Sequence, residues 1–546
     1  MLKKLSFVLA SLLLALSTIM LTPAVAEAAF TSYFGKYYSQ PEQVLDLYPE
    51  PDVDFDTPAF EIEGKSFTSQ EEMMSFLHEL DNESDLVEMT NIGESIEGKE
   101  IPMLTYQKGP NPKKKPTVWL QAQIHGNEPA AGESALVMAN KLAGEYGEKI
   151  LDKINVIIVP RVNPDGSYLF QRRTANGLDA NRDHVKLELP EVQAVHKALN
   201  DYDPEVVIQA HEYSVTESDW EGVGEQGALK YHDILLLTGR NLNIPKKIRN
   251  VANDVYIEGT LNTLSDNGFS NRTYYYGAGL NGEKPVIQEG GTGARIGRNA
   301  FGLQPSLSFL VESRGIGIGR ENFKRRVVGQ ITSHMSIMDI TAKNAKQIEK
   351  MVAKVRKDVV KKGRQANDDD EIVVESERTV HPNENLTVVD IAEGATKEIS
   401  VAYRSSLDSV PTLVRERPTA YIMPASFEKV AKKLQTQGVE VKKLRKSVTL
   451  EVGSYTVTEQ NIADDPYEGH YLNNVETDIT TEKVHFPEGS YVYTMAQPTA
   501  NLISVALEPE NDNSYVTFNY IPADEGDEVP VYRFMGNRHL NAYTVE

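Results

Sequence analysis

The chain has 546 residues, of which 40% are hydrophobic and 25% charged, a composition typical of ordinary globular proteins. This length is too great for one hydrophobic core, so we expect at least two domains. With 79 acidic and 56 basic residues the net charge is −23, which argues against nucleic acid or an anionic membrane surface as a partner. The sequence has no cysteine, which excludes disulfides, a thiol nucleophile, a thiolate metal site and a lipid anchor on cysteine.

The N-terminus carries the pattern of a targeting signal. Lys3 and Lys4 precede an apolar run that extends to about Leu21, and the small-residue segment 24–29 follows. This pattern is typical of a secretory signal peptide, and we place its end at residue 28, with cleavage after Ala26 or Ala28. An uncleaved anchor is the alternative, because the run is almost long enough to span a bilayer. No later stretch resembles a membrane span, so we expect an exported, extracellular protein.

After the signal, residues 29–66 form a lead-in that is rich in Tyr, Pro and Asp and reads as extended and irregular. A capping box then predicts a helix from Thr68 or Ser69 to about residue 80. From residue 117 onward, apolar strands alternate with helices, which indicates an α/β domain with a largely parallel or mixed sheet. Its predicted core strands are 117–124, 154–159, 206–210 and 307–311, and its helices include 129–144 and 190–199.

We place the end of this α/β domain near residue 365, where a basic helix gives way to a polar segment that ends in Asp368-Asp-Asp-Glu371. The α/β domain would then comprise residues 67–365, and residues 366–546 would form a smaller β-rich C-terminal domain of unknown role. Its predicted strands are 447–452, 454–458 and 514–519, with one helix around 427–437.

The segment His125-Gly-Asn-Glu128 follows the first core strand and enters a helix at Pro129. Ligands of open α/β sheets bind beyond the carboxyl ends of the strands. An imidazole and a carboxylate that converge there suit Zn²⁺, which accepts such nitrogen and oxygen ligands. The alternative is an ordinary helix start, with Glu128 placed there by the helix dipole.

Two more chemically active side chains end core strands: His211 follows 206–210, and Glu312 follows 307–311. With His125 and Glu128, His211 would complete three zinc ligands and leave a fourth position open, as in catalytic rather than structural sites. Glu312, a separate carboxylate, is then the natural general base for an activated water.

These segments resemble the zinc carboxypeptidase family, the carboxypeptidase A-like metallopeptidases of secreted bacterial type, from about residue 68 to 326. The resemblance implies an eight-stranded mixed sheet flanked by helices, one Zn²⁺ in this domain, and a peptidase that removes C-terminal residues. The motifs that carry the resemblance are His125-Gly-Asn-Glu128, Asn163-Pro-Asp-Gly166, Asp179-Ala-Asn181-Arg182, the strand-terminal His211, and Glu312 in Ser308-Phe-Leu-Val-Glu-Ser-Arg314.

The resemblance also implies roles for individual residues. Glu312 would take a proton from the zinc-activated water and pass it to the leaving amine. Arg172 looks like the arginine that polarises the scissile carbonyl and stabilises the oxyanion, with its neighbour Arg173 as the alternative. Asn181 and Arg182 look like the pair that binds the terminal carboxylate, because a guanidinium can engage both carboxylate oxygens.

The sequence departs from the family where the substrate-covering tyrosine is expected. No tyrosine lies within 290–307, upstream of the predicted general base, and the nearest are Tyr274-Tyr-Tyr276. From these we take Tyr275 as the substrate-covering residue, with packing in a strand as the alternative. Arg295 or Arg298 are further candidates to enter the site.

A second departure is Glu212, which follows His211 where the family has a small hydroxyl residue. The side-chain specificity is therefore not defined by the sequence. Peptides with a free C-terminus are the expected substrates. Peptidoglycan stem peptides, an amidase activity and a zinc-free binding module remain as alternatives, and the oligomeric state stays open.

Overall fold

The computed structural model describes residues 35–61, 66–282, 284–366 and 368–545. The predicted signal peptide, residues 1–28, lies outside these ranges, as do residues 29–34 and 62–65 of the predicted lead-in. The helices are α1 Glu42–Leu45, α2 Pro58–Glu61, α3 Gln70–Glu83, α4 Pro129–Ala143, α5 Glu145–Ile150, α6 Pro164–Tyr168, α7 Pro190–Tyr202, α8 Lys246–Val251, α9 Glu258–Asp266, α10 Gly297–Leu303, α11 Phe323–Lys343, α12 Ala345–Lys362, α13 Glu428–Thr436 and α14 Ala500–Leu507.

The strands are β1 Val87–Glu94, β2 Glu100–Tyr106, β3 Thr117–Ala122, β4 Asn155–Val159, β5 Val206–Ser214, β6 Ala228–Lys230, β7 Ile234–Thr238, β8 Asn271–Thr273, β9 Tyr276–Asn281, β10 Lys284–Gln288, β11 Leu307–Ile316, β12 Glu371–Asp390, β13 Ala395–Glu416, β14 Ala420–Met423, β15 Lys442–Leu444, β16 Val448–Ile462, β17 Asn473–Phe486, β18 Tyr491–Thr494, β19 Glu528–Phe534 and β20 Ala542–Thr544. Within the described ranges, no helix combines the length and apolar character needed to cross a bilayer.

The α/β region is built on an eight-stranded mixed sheet with the order β1-β2-β4-β3-β5-β11-β7-β8, which confirms the predicted fold class. The four central strands β4, β3, β5 and β11 run parallel. Helices cover both faces of the sheet. Successive side chains of a strand point to opposite faces, so each central strand contributes to two cores. Leu120 and Ile208 belong to the core cluster that includes α4, whereas Trp119 and Val207 belong to the cluster that includes α7.

The helix at the start of this region begins as the sequence predicts. The Ser69 hydroxyl accepts a hydrogen bond from the Glu72 N–H (3.1 Å), and the Glu72 carboxylate accepts one from the Ser69 N–H (2.7 Å). This reciprocal pair is the capping box, and it satisfies two backbone donors that the helix itself cannot pair. The helix α3 then runs to Glu83.

The chain beyond residue 366 is β-rich, as predicted, and it contributes to two sheets. The long hairpin β12–β13 joins β6, β9 and β10 of the α/β region in a five-stranded sheet of order β6-β12-β13-β10-β9. The remaining strands form a seven-stranded antiparallel sheet of order β17-β16-β19-β14-β18-β15-β20. The predicted boundary near residue 365 thus separates two stretches of sequence that share one of their sheets.

The predicted strand at 514–519 is wrong: this segment is a series of turns. Its aromatic and β-branched residues suggested a strand, and Tyr515, Val516 and Phe518 are indeed fully buried. The backbone nevertheless folds back on itself, because the Ser514 hydroxyl accepts a hydrogen bond from the Thr517 N–H (3.0 Å). Strand propensity largely reflects side-chain burial, which this turn satisfies in another way.

Candidate metal and active site

The segment after β3 brings His125 and Glu128 together. The chain turns at Gln123, which has a left-handed backbone (φ 49°). Glu128 occupies the position before the first residue of α4, and its side chain makes no capping hydrogen bond there. Instead, a Glu128 carboxylate oxygen lies 2.6 Å from Nδ1 of His125. The arrangement therefore does not support the interpretation of Glu128 as an ordinary helix-start residue.

Position 126, in the turn between these two residues, has to be glycine because another loop packs against it. A Cβ atom on Gly126 would stand 1.9 Å from the carbonyl carbon of Gly166 and 2.2 Å from the Ser167 nitrogen. The second loop is fixed by Asn163, whose side-chain oxygen accepts a hydrogen bond from the Gly166 N–H (2.8 Å). The two sequence motifs His125-Gly-Asn-Glu128 and Asn163-Pro-Asp-Gly166 are thus packed directly against each other.

His211 completes a buried group of three potential metal ligands. Its Nδ1 lies 3.0 Å from the second Glu128 oxygen and 3.2 Å from Nδ1 of His125. One ligand atom from each of the three residues lies within 4.8 Å of the others. Two ring nitrogens and a carboxylate that face one another can hold a cation between them, and zinc accepts such a donor set. The residues therefore fit a zinc ion.

Asp179 orients this group, a role that the sequence analysis did not assign. Its Oδ1 lies 3.1 Å from Nε2 of His125, so a proton on Nε2 leaves Nδ1 free to act as a ligand. Burial acts to raise the pKa of Asp179, but His125 and Arg172 outweigh it and hold the pKa well below the usual range. Its place in the motif Asp179-Ala-Asn181-Arg182 was a usable signal, since ligand histidines commonly pair with a carboxylate.

Glu312 stands beside the three ligands because of the strand register. β11 pairs with β5 in parallel, and Glu312 lies opposite His211. The side chain is buried, and no ion-pair partner for it occurs in the part of the chain that the structure describes. Burial, and then the negative charge of Glu128, raise the pKa of Glu312 to about 8. A carboxyl group with this pKa can exchange protons near neutral pH.

Arg172 is held over the ligand group by Asp179. Its Nε and Nη2 donate to one Asp179 oxygen (3.0 and 2.8 Å). The remaining nitrogen, Nη1, is then 3.3 Å from Nδ1 of His125 and 3.8 Å from a Glu128 oxygen. The alternative candidate, Arg173, points away and donates to the Gly177 carbonyl and to the Glu468 carboxylate (2.8 and 3.0 Å).

Asn181 and Arg182 both line a cavity beside the ligand group. The side chain of Asn181 is held by hydrogen bonds, whereas the guanidinium of Arg182 has no carboxylate partner among the described residues. The Asn181 side-chain oxygen accepts a hydrogen bond from the Gly297 N–H (2.9 Å), and its nitrogen lies 3.4 Å from Nε2 of His211. Arg182 donates to the backbone carbonyl of Asn181 (2.8 Å). No carboxylate within the described ranges lies at ion-pair distance from Arg182, so its guanidinium is available to an external anion.

Tyr275, the predicted substrate-covering residue, lies elsewhere. It is 1% exposed and stacks on Trp220 with a centroid distance of 6.4 Å. Its neighbours Tyr274 and Tyr276 line the cavity instead, and their rings are 6.2 Å apart. Adjacent residues of an extended chain point to opposite sides. The two tyrosines next to Tyr275 therefore face the cavity, whereas Tyr275 faces the core.

A cavity of about 610 Å³ connects these groups, and its walls are rich in cations. Arg298 is buried (3% exposed), donates to the Gly291 carbonyl (2.6 Å), and has no ion-pair partner among the described residues. Arg295 also lines the cavity and contacts Tyr467 of the C-terminal region (3.2 Å). Both arginines that the sequence singled out thus reach the cavity wall.

Glu212 lines the cavity but is occupied by structural contacts. One of its carboxylate oxygens accepts a hydrogen bond from the Ala130 N–H (3.0 Å), which satisfies a free donor in the first turn of α4. The other pairs with Arg326 (2.7 Å). Glu212 therefore stabilises the helix start while Glu128 faces the histidines.

The chain is similar to known carboxypeptidases. A family described as zinc carboxypeptidase matches residues 73–217. Carboxypeptidase 2 of Trichophyton rubrum is 28% identical over 525 residues, which cover 94% of this chain and 93% of that protein. Carboxypeptidase 2 of Trichophyton tonsurans is 30% identical over 447 residues, which cover 80% of this chain and 81% of that protein.

Among solved structures, a metallo-carboxypeptidase from Burkholderia cenocepacia matches with a TM-score of 0.38 and 18% identity, over 50% of this chain and 70% of that one. The family of the chain follows from the sequence relatives, which extend over most of its length. The chain belongs to the zinc carboxypeptidase family.

Proposed function

We propose that this protein is an exported, zinc-dependent metallocarboxypeptidase that hydrolyses the C-terminal peptide bond of peptides. The observation that carries the proposal is the convergence of His125, Glu128 and His211 beside the unpaired carboxyl of Glu312. The N-terminal signal pattern, with Lys3 and Lys4 before an apolar run, supports export.

His125 and His211 would hold the zinc through Nδ1, and Glu128 would hold it through its carboxylate. A bound zinc supplies Lewis acidity, which makes a water a stronger nucleophile at neutral pH and polarises a carbonyl group. Asp179 keeps His125 in the required tautomer. Because all three ligand side chains are buried and packed, they need little reorganisation on binding the ion.

Arg182 would bind the terminal carboxylate of the substrate. It has no carboxylate partner in the described residues, and a guanidinium fork engages both oxygens of a carboxylate. Asn181, which is fixed by the Gly297 N–H, shapes the same corner of the cavity. This grip selects peptides with a free C-terminus over amidated ones and places the last peptide bond near Glu312.

Glu312 would take a proton from the attacking water and deliver it to the nitrogen of the leaving residue. The new bond joins the water oxygen to the carbonyl carbon, and the C–N bond breaks. Arg172 would stabilise the negative charge that develops on the carbonyl oxygen, since Asp179 holds its guanidinium in place and leaves Nη1 directed at the ligand group. Tyr274, which lines the cavity, would cover the substrate in place of Tyr275.

The test is hydrolysis of blocked dipeptides by the wild type and by Glu312→Gln, with zinc content measured on the same samples. Loss of a general base lowers the rate by about 10²- to 10⁴-fold, while zinc stays bound. Glu525→Gln, a change at an exposed residue of the C-terminal region, is the matched control. Unchanged hydrolysis in a zinc-loaded Glu312→Gln would exclude Glu312 as the base.

A substrate panel distinguishes the other activities. Peptides with free and amidated C-termini, peptidoglycan stem peptides and acylated amino acids are offered with and without chelator. Preferential hydrolysis of free peptides supports the proposal. Preference for stem peptides or for acylated amino acids would redefine the substrate, and folded protein without zinc or hydrolysis would identify a binding module.

A further inference from the structure

A tight turn of the C-terminal region, residues 467–470, reaches into the α/β region next to the metal ligands. The Tyr467 N–H donates to the His470 carbonyl (2.8 Å), and the His470 N–H donates to the Tyr467 carbonyl (3.0 Å). Glu468 at its tip is 7% exposed and has a left-handed backbone (φ 47°). A non-glycine residue in this conformation persists only where its surroundings hold it.

The Glu468 carboxylate is held by two donors from the other region. One oxygen accepts a hydrogen bond from the Asp179 N–H (2.7 Å). The other accepts one from Nη1 of Arg173 (3.0 Å). In addition, the Glu468 backbone carbonyl accepts one from the buried Lys186 ammonium (3.2 Å). A buried carboxylate is costly unless it is paired, and here all of its described partners come from the α/β region.

The first of these donors, Asp179, is also in contact with the proposed metal ligand His125. Asp179 is the residue whose carboxylate faces Nε2 of His125 and holds the Arg172 guanidinium, while its backbone N–H is bound by Glu468. The backbone and the side chain of Asp179 are therefore held by different partners. A shift of this backbone would change the contacts of its carboxylate with both His125 and Arg172.

The rest of the turn is anchored as well. The Tyr467 hydroxyl accepts a hydrogen bond from Nε of Arg295 (3.2 Å), and both residues line the cavity. On the other side, Nε2 of His470 lies 2.9 Å from a Glu188 carboxylate oxygen. The turn is thus attached to the α/β region at each of its ends and at its tip.

We propose that Glu468 is a positioning residue for the active site: through the Asp179 backbone it fixes the carboxylate that orients His125 and Arg172. The C-terminal region would then complete the active site, with Tyr467 as part of the substrate cavity wall. This inference rests on the proposed function, because it assigns an indirect role toward the proposed zinc site.

The test compares Glu468→Ala with the wild type by zinc affinity, measured in competition with a chelator. Outer partners of metal ligands typically contribute about 10- to 100-fold to affinity or activity, and Glu468 acts one step farther out, so we expect a loss of about tenfold. Glu468→Gln keeps one acceptor for the Asp179 N–H and should recover most of the affinity. Glu525→Gln, on the exposed surface of the same region, should change nothing.

A second readout needs neither metal nor substrate. In the metal-free protein, hydrogen exchange of the peptide that contains the Asp179 amide should become faster in Glu468→Ala, because this N–H loses its acceptor. Unchanged exchange at this position would contradict the proposed contact. The thermal midpoint, measured in parallel, identifies any global loss of fold.

A double-mutant cycle separates positioning from mere stability. In an Asp179→Ala background, Glu468→Ala should cause no further loss of zinc affinity, since the link to His125 is already broken. Equal losses in both backgrounds would overturn the proposal. If the wild type itself binds no zinc, the proposed function fails; if it binds zinc and Glu468→Ala binds it equally well, only this inference fails.

Discussion

Buried ionisable side chains are arranged differently in the C-terminal region and at the cavity beside the eight-stranded sheet. In the C-terminal region, Glu508 is 1% exposed and pairs with Arg415 (2.9 Å), which also binds Glu510 (2.5 Å). At the edge of the eight-stranded sheet, Glu312 and Arg298 are also buried, but the described residues offer them no ion-pair partner. A buried ionisable group without a partner is costly, so the persistence of these two side chains indicates that a ligand supplies the partner. The same residue types therefore serve stability where they are paired and function where they line the cavity without a partner.

The largest effect in this comparison is expected from breaking a paired charge. Glu508→Ala leaves Arg415 and Tyr421 without a shared partner, and loss of one member of a buried pair costs about 3 kcal/mol or more. Urea denaturation should show this loss in the free energy of unfolding, with zinc affinity and kcat/KM of the folded protein unchanged. A large fall in kcat/KM at unchanged stability would reverse the assignment.

Removing an unpaired charge at the cavity should lower activity and leave stability nearly unchanged. Arg182→Ala is expected to raise KM by about 100-fold for peptides with a free C-terminus, because it removes a charge-assisted contact to the carboxylate. Amidated peptides, which lack this carboxylate, should be much less affected, and the free energy of unfolding should change little. Equal effects on both substrates would refute the role of Arg182 as the carboxylate clamp.

The unpaired carboxyl of Glu312 should also be visible in the stability of the metal-free protein. Its pKa in the folded protein is raised to about 8, above the value in the unfolded chain, so the folded state binds the extra proton between these two values. Stability should therefore fall as pH rises, by about 2 kcal/mol between pH 5 and 7.

Glu312→Gln does not titrate and serves as the matched control. Its stability relative to the wild type should increase over the same pH interval, in chelator-treated samples followed by denaturant titration. A constant difference between the two proteins would show that Glu312 ionises normally in the folded state.

The smallest expected effect concerns Arg298. Its unpaired guanidinium lines the cavity near Arg182, so a second carboxylate on the terminal residue of the substrate would find a partner there. Peptides that end in Glu should be cleaved more efficiently than those that end in Lys. Arg298→Met should reduce this preference by about tenfold, measured as the ratio of the two kcat/KM values. An unchanged ratio would show that Arg298 does not contact the terminal side chain.

Much of the site was predictable because its chemistry follows from chain order. His211 and Glu312 each follow a buried apolar run, and parallel strands bring such ends to one edge of a sheet. His125 and Glu128 are three residues apart at a strand-to-helix turn, which fixes their separation locally. Convergence of these four residues also requires that β3, β5 and β11 be neighbours in the sheet, which the resemblance to the family implied.

Other features depended on register or on distant contacts. The sequence could not show which of three consecutive tyrosines faces the cavity, and Tyr275 proved to be the one that faces the core. The approach of Glu468 to Asp179 joins residues far apart in the chain, and no local pattern predicts it. The β-rich character of the C-terminal region was predictable, whereas the sheet that its hairpin shares with the α/β region was not.

The most direct test of the account is the zinc content of folded protein, measured for the wild type and for His211→Gln after dialysis against trace chelator. The account predicts one zinc per wild-type chain and a strong loss in His211→Gln, while circular dichroism shows that both proteins are folded. Folded wild type without zinc, or zinc retained equally by His211→Gln, would contradict the claim that His125, Glu128 and His211 form the metal site.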